Sequence, residues 1–500
     1  VDNIQLANLL QAYIPSHYRV EEGLLDLELW QQWQDAIPVD LRGSLALQHA
    51  SLANTAEQPR RIKLDRLESD YHFARDAQEW LLQLDRVRVT PADRASWPPG
   101  RVAVRGYSRD NSRWVEAAAD NLVVGDLVDL LLIRAPSARL HEALVQLAPQ
   151  GMLSNLRLQW PLDGQADWAF STDFKQLAVA PWQHVPGVGN LAGALTATPT
   201  QASLHLDAEA VPVSYRQLFR DSLQLDQLQG TLHWTRGPEY WEVRTQRLAA
   251  DTPDFHSNTR FSIRQADGQP VHLDLISDLF DGDVARVSKY LPTAIMGKKL
   301  VHWLDRSLSR GRVEHATALI SGPLATFPYH KTRNGTFEVV ALTRDTPLDY
   351  QQGWPPLEDV SARLEFHENS LDITLLEGRI YNSTIEQARA TISSLDPTSP
   401  LLMKGRLKGP LEDEIRLLRE DALRKEFGHI AEALQVGGNA ELKLDFAVPL
   451  VDGRGDYRLD GSLFFNNASL SLPDWDLDIT QVNGELGISL DALRGSGIRG

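Results

Sequence analysis

The sequence contains no cysteine among its 500 residues and only three methionines. Without cysteine, disulfide bonds, thiolate nucleophiles and zinc–thiolate sites are excluded. There is also no run of eighteen apolar residues, so no segment is expected to cross a bilayer as a helix. The longest apolar patch, residues 122–133, is interrupted by Asp126 and Asp129 and predicts a helix that is buried or caps a groove.

The sequence also has fewer positively than negatively charged residues. The chain has 50 Lys and Arg against 67 Asp and Glu, for a formal net charge of −17. Nucleic-acid binding needs clustered cations that neutralise phosphates, so a nucleic-acid partner is not expected. G-x-S-x-G, P-loop and Rossmann signatures are absent, and the acidic stretch at residues 278–283 lacks the spacing of a calcium loop. We therefore expect no enzyme activity, catalytic residue, metal or cofactor.

Short alternating segments recur along the chain. Residues 64–73, 225–234, 357–366 and 479–488 share an apolar start, a small residue and alternating apolar positions. After each of the first three comes a polar turn and another alternating segment, which indicates β-hairpins. Residues 41–52 and 459–470 also share Leu, Gly, Ser, Leu, Ala, Ser and Leu at identical spacing. These matches predict a variable repeat.

The apolar members of the alternating segments are expected to share one face, because successive strand residues point to opposite sides. A sheet with one dry and one wet face is typically antiparallel. The candidate apolar lining consists of Leu45, Leu47, Leu232, Trp234, Trp241, Val243, Phe261, Ile263, Leu273, Leu275, Phe337, Val339, Leu364, Phe366, Ile373, Leu463, Phe465, Leu486 and Ile488.

Helix-like segments interrupt the alternating blocks, at residues 3–13, 125–147, 213–222, 283–309 and 411–434. They suggest four successive segments. Residues 1–124 form a β segment with an N-terminal helix, and 125–282, 283–409 and 410–500 each form a helix followed by a β segment. Three of the helical stretches run through a glycine and a short alternating stretch to Pro-Leu, at Gly151, Gly311 and the pair Gly437 and Gly438. We interpret these stretches as joints.

The predicted helices are too few to cover so much apolar sheet. Two arrangements follow from the residues alone. The sheets pack face to face as sandwiches, or one long sheet curls into a trough whose apolar face holds an apolar ligand such as a lipid acyl chain.

Residues 290–329, the segments that follow them to residue 366, and "GSLFFNNASLSLPDW" at 461–475 resemble the YhdP-type AsmA-like proteins of Gram-negative bacteria. The resemblance is dense from about residue 284 onward and thinner before it. It implies a mainly β protein with a long, curled antiparallel sheet that forms an extended hydrophobic groove, punctuated by short amphipathic helices. It also implies a fragment of a longer bridge-like lipid-transfer protein.

The function implied by this resemblance is intermembrane phospholipid transport through a periplasmic groove, which supports the outer-membrane permeability barrier. Phospholipids are the expected partners. A segment outside this chain would provide the inner-membrane tether, with outer-membrane contact as a further possibility. Two alternatives remain open: a periplasmic scaffold that offers strand edges to outer-membrane protein clients, and an elongated β-sandwich adhesin. Candidate headgroup contacts are Arg306, Arg310 and Arg312.

Overall fold

The computed structural model describes residues 2–7, 18–34, 37–54, 60–109, 112–133, 137–164, 167–294, 296–350, 354–395, 399–420, 424, 428, 431–449, 458–473, 476–489 and 492–500. Strands dominate them, and all 25 strands are assigned to one antiparallel sheet. The mainly β, antiparallel class is therefore confirmed.

The chain divides into two compact units. The first comprises residues 1–217 and 221–250, and the second comprises residues 218–220 and 251–500. The four predicted segments remain a prediction.

In the first unit, strands that are consecutive in the chain pair with each other from β1 to β12. Most of the connections are short, as the alternating segments with polar turns predict. The strands are β1 Ile4–Gln5, β2 Tyr18–Gln34, β3 Ile37–Asn54, β4 Arg61–Arg75, β5 Glu79–Pro91, β6 Gly100–Arg109, β7 Ser112–Val123, β8 Gln150–Pro161, β9 Ala169–Val179, β10 Gly187–Ala197, β11 Gln201–Ser214, β12 Leu223–Arg236 and β13 Tyr240–Asp251, which ends at the boundary.

The second unit repeats this order, with consecutive strands paired from β14 to β25. Its strands are β14 His256–Ala266, β15 His272–Asp283, β16 Arg312–Pro323, β17 Thr336–Leu348, β18 Leu357–His367, β19 Ser370–Ile380, β20 Ser383–Ile392, β21 Pro400–Pro410, β22 Gln435–Pro449, β23 Arg458–Leu472, β24 Leu477–Ser489 and β25 Leu493–Arg499.

The helices of the described residues are short. Those with both ends described are α1 Val124–Ile133, α2 Ala138–Leu147, α3 Val287–Tyr290, α4 Lys298–Ser307 and α5 Leu411–Leu418, with 3₁₀ turns at Val284–Arg286 and Leu324–Thr326. The helix predicted at 213–222 is wrong: β11 continues to Ser214, and turns follow it. The helix predicted at 283–309 is divided into a 3₁₀ turn, α3 and α4, because Pro292 and Gly297 interrupt its pattern.

Other helix predictions are met in part. Residues 125–147 form two helices, α1 and α2, and the hydroxyl of Ser137 caps α2 by accepting a hydrogen bond from the Leu140 amide at 3.2 Å. Of residues 3–13, β1 occupies Ile4–Gln5, Leu6 and Ala7 are helical as predicted, and those from 8 onward lie outside the described residues. Of residues 411–434, the first eight form α5, residues 424, 428 and 431–433 are helical as predicted, and residues 421–423, 425–427 and 429–430 lie outside the described part of the chain.

The glycines at two helix-to-strand joints adopt backbone conformations that other residues rarely reach. Gly151 has φ +127° and Gly311 has φ +119°. A Cβ atom on Gly151 would lie 2.8 Å from the Gln176 oxygen and 2.8 Å from the Leu177 Cα. At Gly151 the register between β8 and β9 also shifts, as in a β-bulge. The glycine is therefore required by both its φ angle and its close backbone neighbours.

We expect Gly151→Ala to lower the free energy of unfolding by about 1–3 kcal/mol or more, because it combines an unfavourable φ angle with a backbone clash. Gly297→Ala is the matched control, since its Cβ would meet no atom within 4 Å. Urea denaturation of the two variants measures the difference. Equal stabilities would contradict this account of the joint.

Candidate functional site

An unbroken row of apolar side chains crosses the sheet of the first unit. In an antiparallel sheet, residues paired directly across two strands point to the same face. The registers link one such residue on every strand from β3 to β12. The row runs Leu41, Phe73, Leu82, Val104, Ala117, Leu158, Phe170, Ala197, Ala202 and Trp234.

The neighbouring row, one residue along each strand, lies on the opposite face and is polar. Only Ala103 and Ala118 in it are apolar. It runs Arg42, His72, Gln83, Ala103, Ala118, Arg157, Ser171, Thr196, Ser203 and His233. The sheet of this unit therefore has one apolar and one polar face, as the alternation predicts.

The second unit has the same organisation. Its apolar row extends from β15 to β23 and consists of Leu279, Ala316, Ala341, Leu364, Ile373, Ala390, Met403, Phe446 and Leu459. A shorter row on the same face joins Ile385, Leu407, Leu442, Leu463 and Leu486.

Most of the predicted lining residues fall on these faces by register. In the first unit, Leu45 and Leu47 lie an even number of residues from Leu41 on β3 and therefore point to the same face. Leu232 lies two residues from Trp234 on β12 and shares its face. In the second unit the register joins pairs of them directly, and the pairs are Phe261 with Leu275, Ile263 with Leu273, Val339 with Phe366, Leu364 with Ile373, and Leu463 with Leu486.

The remaining predicted lining residues also lie on strands. Phe337 pairs with Ile320, Phe465 with Gly484 and Ile488 with Gly461. Trp241 and Val243 lie half-buried on β13. Most of the predicted set is only half-buried, whereas Leu273, Leu463 and Ile488 are buried. Side chains of the apolar face thus remain partly exposed along much of its length. Their role as a ligand lining stays a proposal.

The three candidate arginines lie at the joint between α4 and β16 and differ in their surroundings. The Arg306 Nε lies 3.8 Å from a carboxylate oxygen of Asp349, and Arg312 forms an ion pair with Asp281. Arg310 is exposed in the turn between them. Of the three, Arg310 alone has no ion pair to any residue within the described ranges.

Ion pairs between neighbouring strands cover the polar face. Asp445 accepts from Lys404 at 2.8 Å and from Arg458 at 3.1 Å, and these cations lower the pKa of its carboxyl. Arg101 and Asp85 form a similar cross-strand pair at 2.7 Å. Exposed pairs of this kind contribute little stability, but they keep this face hydrated. Over the described residues, no group of three or more His, Asp or Glu is arranged to hold a metal.

α4 is fixed beside this joint by backbone acceptors. The Trp303 indole donates to the Tyr350 carbonyl at 3.0 Å, and the Ser307 hydroxyl donates to the Asp349 carbonyl at 2.7 Å. Leu304 of the same helix is buried. None of the described helices has both the length and the apolar character needed to span a bilayer.

The sequence predicts the helix that becomes α5 but not the acidic residue that this helix turns toward the apolar face. α5 covers part of β22–β24, and the largest cluster of buried apolar side chains forms there around Leu411, Ile415 and Leu417. Glu414 of α5 also faces the sheet and is 4% exposed. The 3.6-residue spacing of apolar residues in 411–434 predicts the helix, but it gives no signal that an acidic residue faces the sheet.

The class is a mainly β protein in which consecutive antiparallel strands present one apolar and one polar face within each unit, and in the second unit α5 covers part of the apolar face. Its sequence matches the YhdP protein family model over residues 1–500, and the chain belongs to that family. It is 23% identical over 503 residues to the intermembrane phospholipid transporter YhdP of Escherichia coli strain K12. The match covers 97% of this chain but 39% of that relative.

The different surroundings of the apolar residues predict different stabilities. Leu463, 3% exposed within the buried cluster, should cost about 2–5 kcal/mol when changed to Ala, because its removal leaves a cavity. Leu364→Ala, on the partly exposed stretch of the same face, should cost only about 1 kcal/mol. Urea unfolding of the second unit measures the free energy of unfolding of the two variants. Equal losses would show that α5 does not seal the face over Leu463.

Proposed function

We propose that this chain carries phospholipids, with their acyl chains against the apolar face and their headgroups in water. The observation that carries this proposal is the unbroken apolar row from Leu41 to Trp234, with a polar row on the other face. Membership of the YhdP family and similarity to an intermembrane phospholipid transporter support it. The faces form an extended groove in this proposal, and the lining is the predicted set from Leu45 to Ile488.

The chemistry of the face suits a sliding ligand. Burial of acyl chains releases roughly 25 cal/mol per Å² of apolar surface, without any directional bond. The rows contain aliphatic and aromatic side chains but no charged residue, so each step along the face resembles the last. We infer weak selectivity among acyl chains and no enzymatic step. Arg310 is the best placed of the three arginines to meet a headgroup phosphate, because it is exposed and has no ion pair with a described residue.

The proposal also includes a location. A phospholipid carrier of this kind acts between two membranes, so we place it in the periplasm, tethered to the inner membrane by a segment outside this chain. Contact with the outer membrane and support of its permeability barrier belong to the same proposal. The chain spans 39% of its relative's length, so these properties concern a longer protein.

Two other functions are distinguished by experiment. A scaffold for outer-membrane protein clients would capture extended peptides through backbone hydrogen bonds. An adhesin built as a β-sandwich needs two facing sheets, whereas the strands here are assigned to one sheet. Lipid analysis and peptide capture on the same purified chain separate the lipid carrier from the scaffold.

We expect the purified chain to retain phospholipid, which native mass spectrometry and lipid extraction detect. Leu195→Asp should lower the transfer of fluorescent phospholipid between vesicles at least about tenfold, because an acyl chain must pass a charged group. Leu195 pairs with Leu204 and Thr172 on the apolar face.

Thr196→Asp is the matched control for this variant. Thr196 is the next residue, pairs with Ser171 and Ser203, and lies on the polar face. Its transfer rate should equal that of the unchanged chain. A protein that is free of lipid, or equal losses in the two variants, would contradict the proposed function.

A further inference from the structure

α5 lies on the part of the apolar face where β22, β23 and β24 meet. Only a small cavity, about 30 Å³, remains between the helix and the sheet. That volume is far below the roughly 300–1,000 Å³ of pockets that hold small-molecule ligands, so an acyl chain has no room between the helix and the sheet. The cavity is lined by Trp354, Glu414, Ile415, Leu417, Leu418, Leu442, Leu444, Phe446, Leu459, Leu463 and Ile488.

The covered residues belong to the rows described above. Phe446 and Leu459 end the row that begins at Leu279, and Leu463 lies in the row with Leu442. A lipid moving along this row reaches the helix and cannot pass while the helix is seated. α5 therefore occupies the surface that an acyl chain would use.

Glu414 weakens the packing of α5 on the apolar face. It is 4% exposed, and neither carboxylate oxygen accepts a hydrogen bond from any other residue in the described ranges. All other residues lining the cavity are apolar. A carboxylate without a partner in such surroundings strongly opposes burial. An apolar residue at this position would hold the helix more firmly.

The opposite side of the helix is anchored by polar contacts. The Asp413 carboxylate accepts from the backbone N–H of Asn382 and from the Ser383 hydroxyl, both at 2.9 Å. The Arg416 guanidinium lies 4.1 Å from the centre of the Tyr381 ring. These contacts attach α5 to the turn between β19 and β20. The helix is thus held to this turn by polar contacts, whereas its packing on the apolar face is weakened by Glu414.

We propose that α5 is a displaceable plug, which swings about the β19–β20 turn and leaves the apolar face to passing acyl chains because its buried Glu414 destabilises the seated position. This inference rests on the proposed function for its purpose, but the movement of the helix is tested separately. Lipid and helix compete for one surface, so a lipid that arrives displaces α5.

Protonation of Glu414 determines how stably α5 packs on the apolar face. Burial raises the pKa of its carboxyl from 4.5 to about 7, and the neighbouring Asp413 carboxylate adds to the rise. Three other ionisable groups of α5 and the residues just after it have partners of their own. Arg416 lies over the Tyr381 ring, Glu420 accepts from the Tyr381 hydroxyl, and Arg419 donates to the carbonyls of residues 431 and 434. None of the cavity-lining residues on β22–β24 is ionisable.

The direction of the pH effect follows from the two states. The seated helix holds the Glu414 proton up to about pH 7, whereas the displaced helix, with Glu414 in water, releases it near pH 4.5. Between these values the seated state binds more protons, so raising the pH favours displacement. Below pH 4.5 both states are protonated, and above about pH 7 both are ionised, so the effect levels off at each end.

Single cysteines measure displacement directly, because the chain has none of its own. Leu463→Cys places a thiol beneath α5, and Leu364→Cys places one on the partly exposed stretch of the same face. The ratio of their maleimide labelling rates cancels the pH dependence of the thiol itself. From pH 5 to pH 7.5, in the absence of lipid, this ratio should rise more than about tenfold, since each pKa unit is a factor of ten.

Glu414→Gln is the decisive variant, because it keeps the size of the side chain and removes its charge. In that background the ratio should stay flat with pH. A flat ratio in the chain that retains Glu414, or an equal rise in the Glu414→Gln variant, overturns the plug. Hydrogen exchange of the amides of α5 in the cysteine-free chain, corrected for intrinsic pH dependence, must show the same contrast and guards against disturbance by the cysteines.

Lipid transfer by the same proteins separates the two proposals. If labelling follows pH but the chain neither binds nor transfers phospholipid, the proposed function fails and the plug stands. If transfer occurs but labelling is independent of Glu414, the plug fails and the proposed function stands. With both correct, transfer at pH 5 is slower than at pH 7.5, and Glu414→Gln removes this difference.

Discussion

Cross-strand register is the constraint on which the whole structure depends. Leu158 stands opposite Ala117 on one side and Phe170 on the other, so each apolar side chain has apolar neighbours across both ladders. A slip of one residue would place Arg157 or Gln159 among them. Because hydrogen bonds alone do not distinguish these registers, the alternating sequence and the bulges at defined positions must fix them.

The helices serve this sheet at its joints. Each is short, and in the second unit each lies where a glycine, a proline or a turn interrupts the alternation. α4 is held by backbone carbonyls of Asp349 and Tyr350, whereas α5 is held through side chains at the turn around Asn382. Of these two helices, only α5 combines such an anchor with a buried carboxylate on its sheet side. This difference is why we propose movement for α5 and not for α4.

The sheet and much of its apolar face can be predicted from the sequence, because period-two alternation is a local property. Phe366 and Ile373 are predicted on one face, and the registers place them there. The position of a residue within its own strand is enough to decide which face its side chain takes. Helix positions are harder to predict. The segment from Val213 to Ser222 has helical spacing, but strand pairing with β12 outweighs it up to Val213. Tertiary contacts also decide which side of α5 meets the sheet, so the sequence places Glu414 only within an acidic first turn.

The β-bulges indicate where related sequences can accept insertions. Asn155, Asp345 and Asp359 have positive φ angles at places where the pairing register shifts. At each bulge an extra residue is absorbed by one strand without exchanging the two faces beyond it. Single insertions elsewhere in a strand would invert every following side chain, whereas insertions at bulges or hairpin ends leave the pattern intact. Relatives that share little identity can therefore differ in length at these points and still keep the same alternation along the sheet.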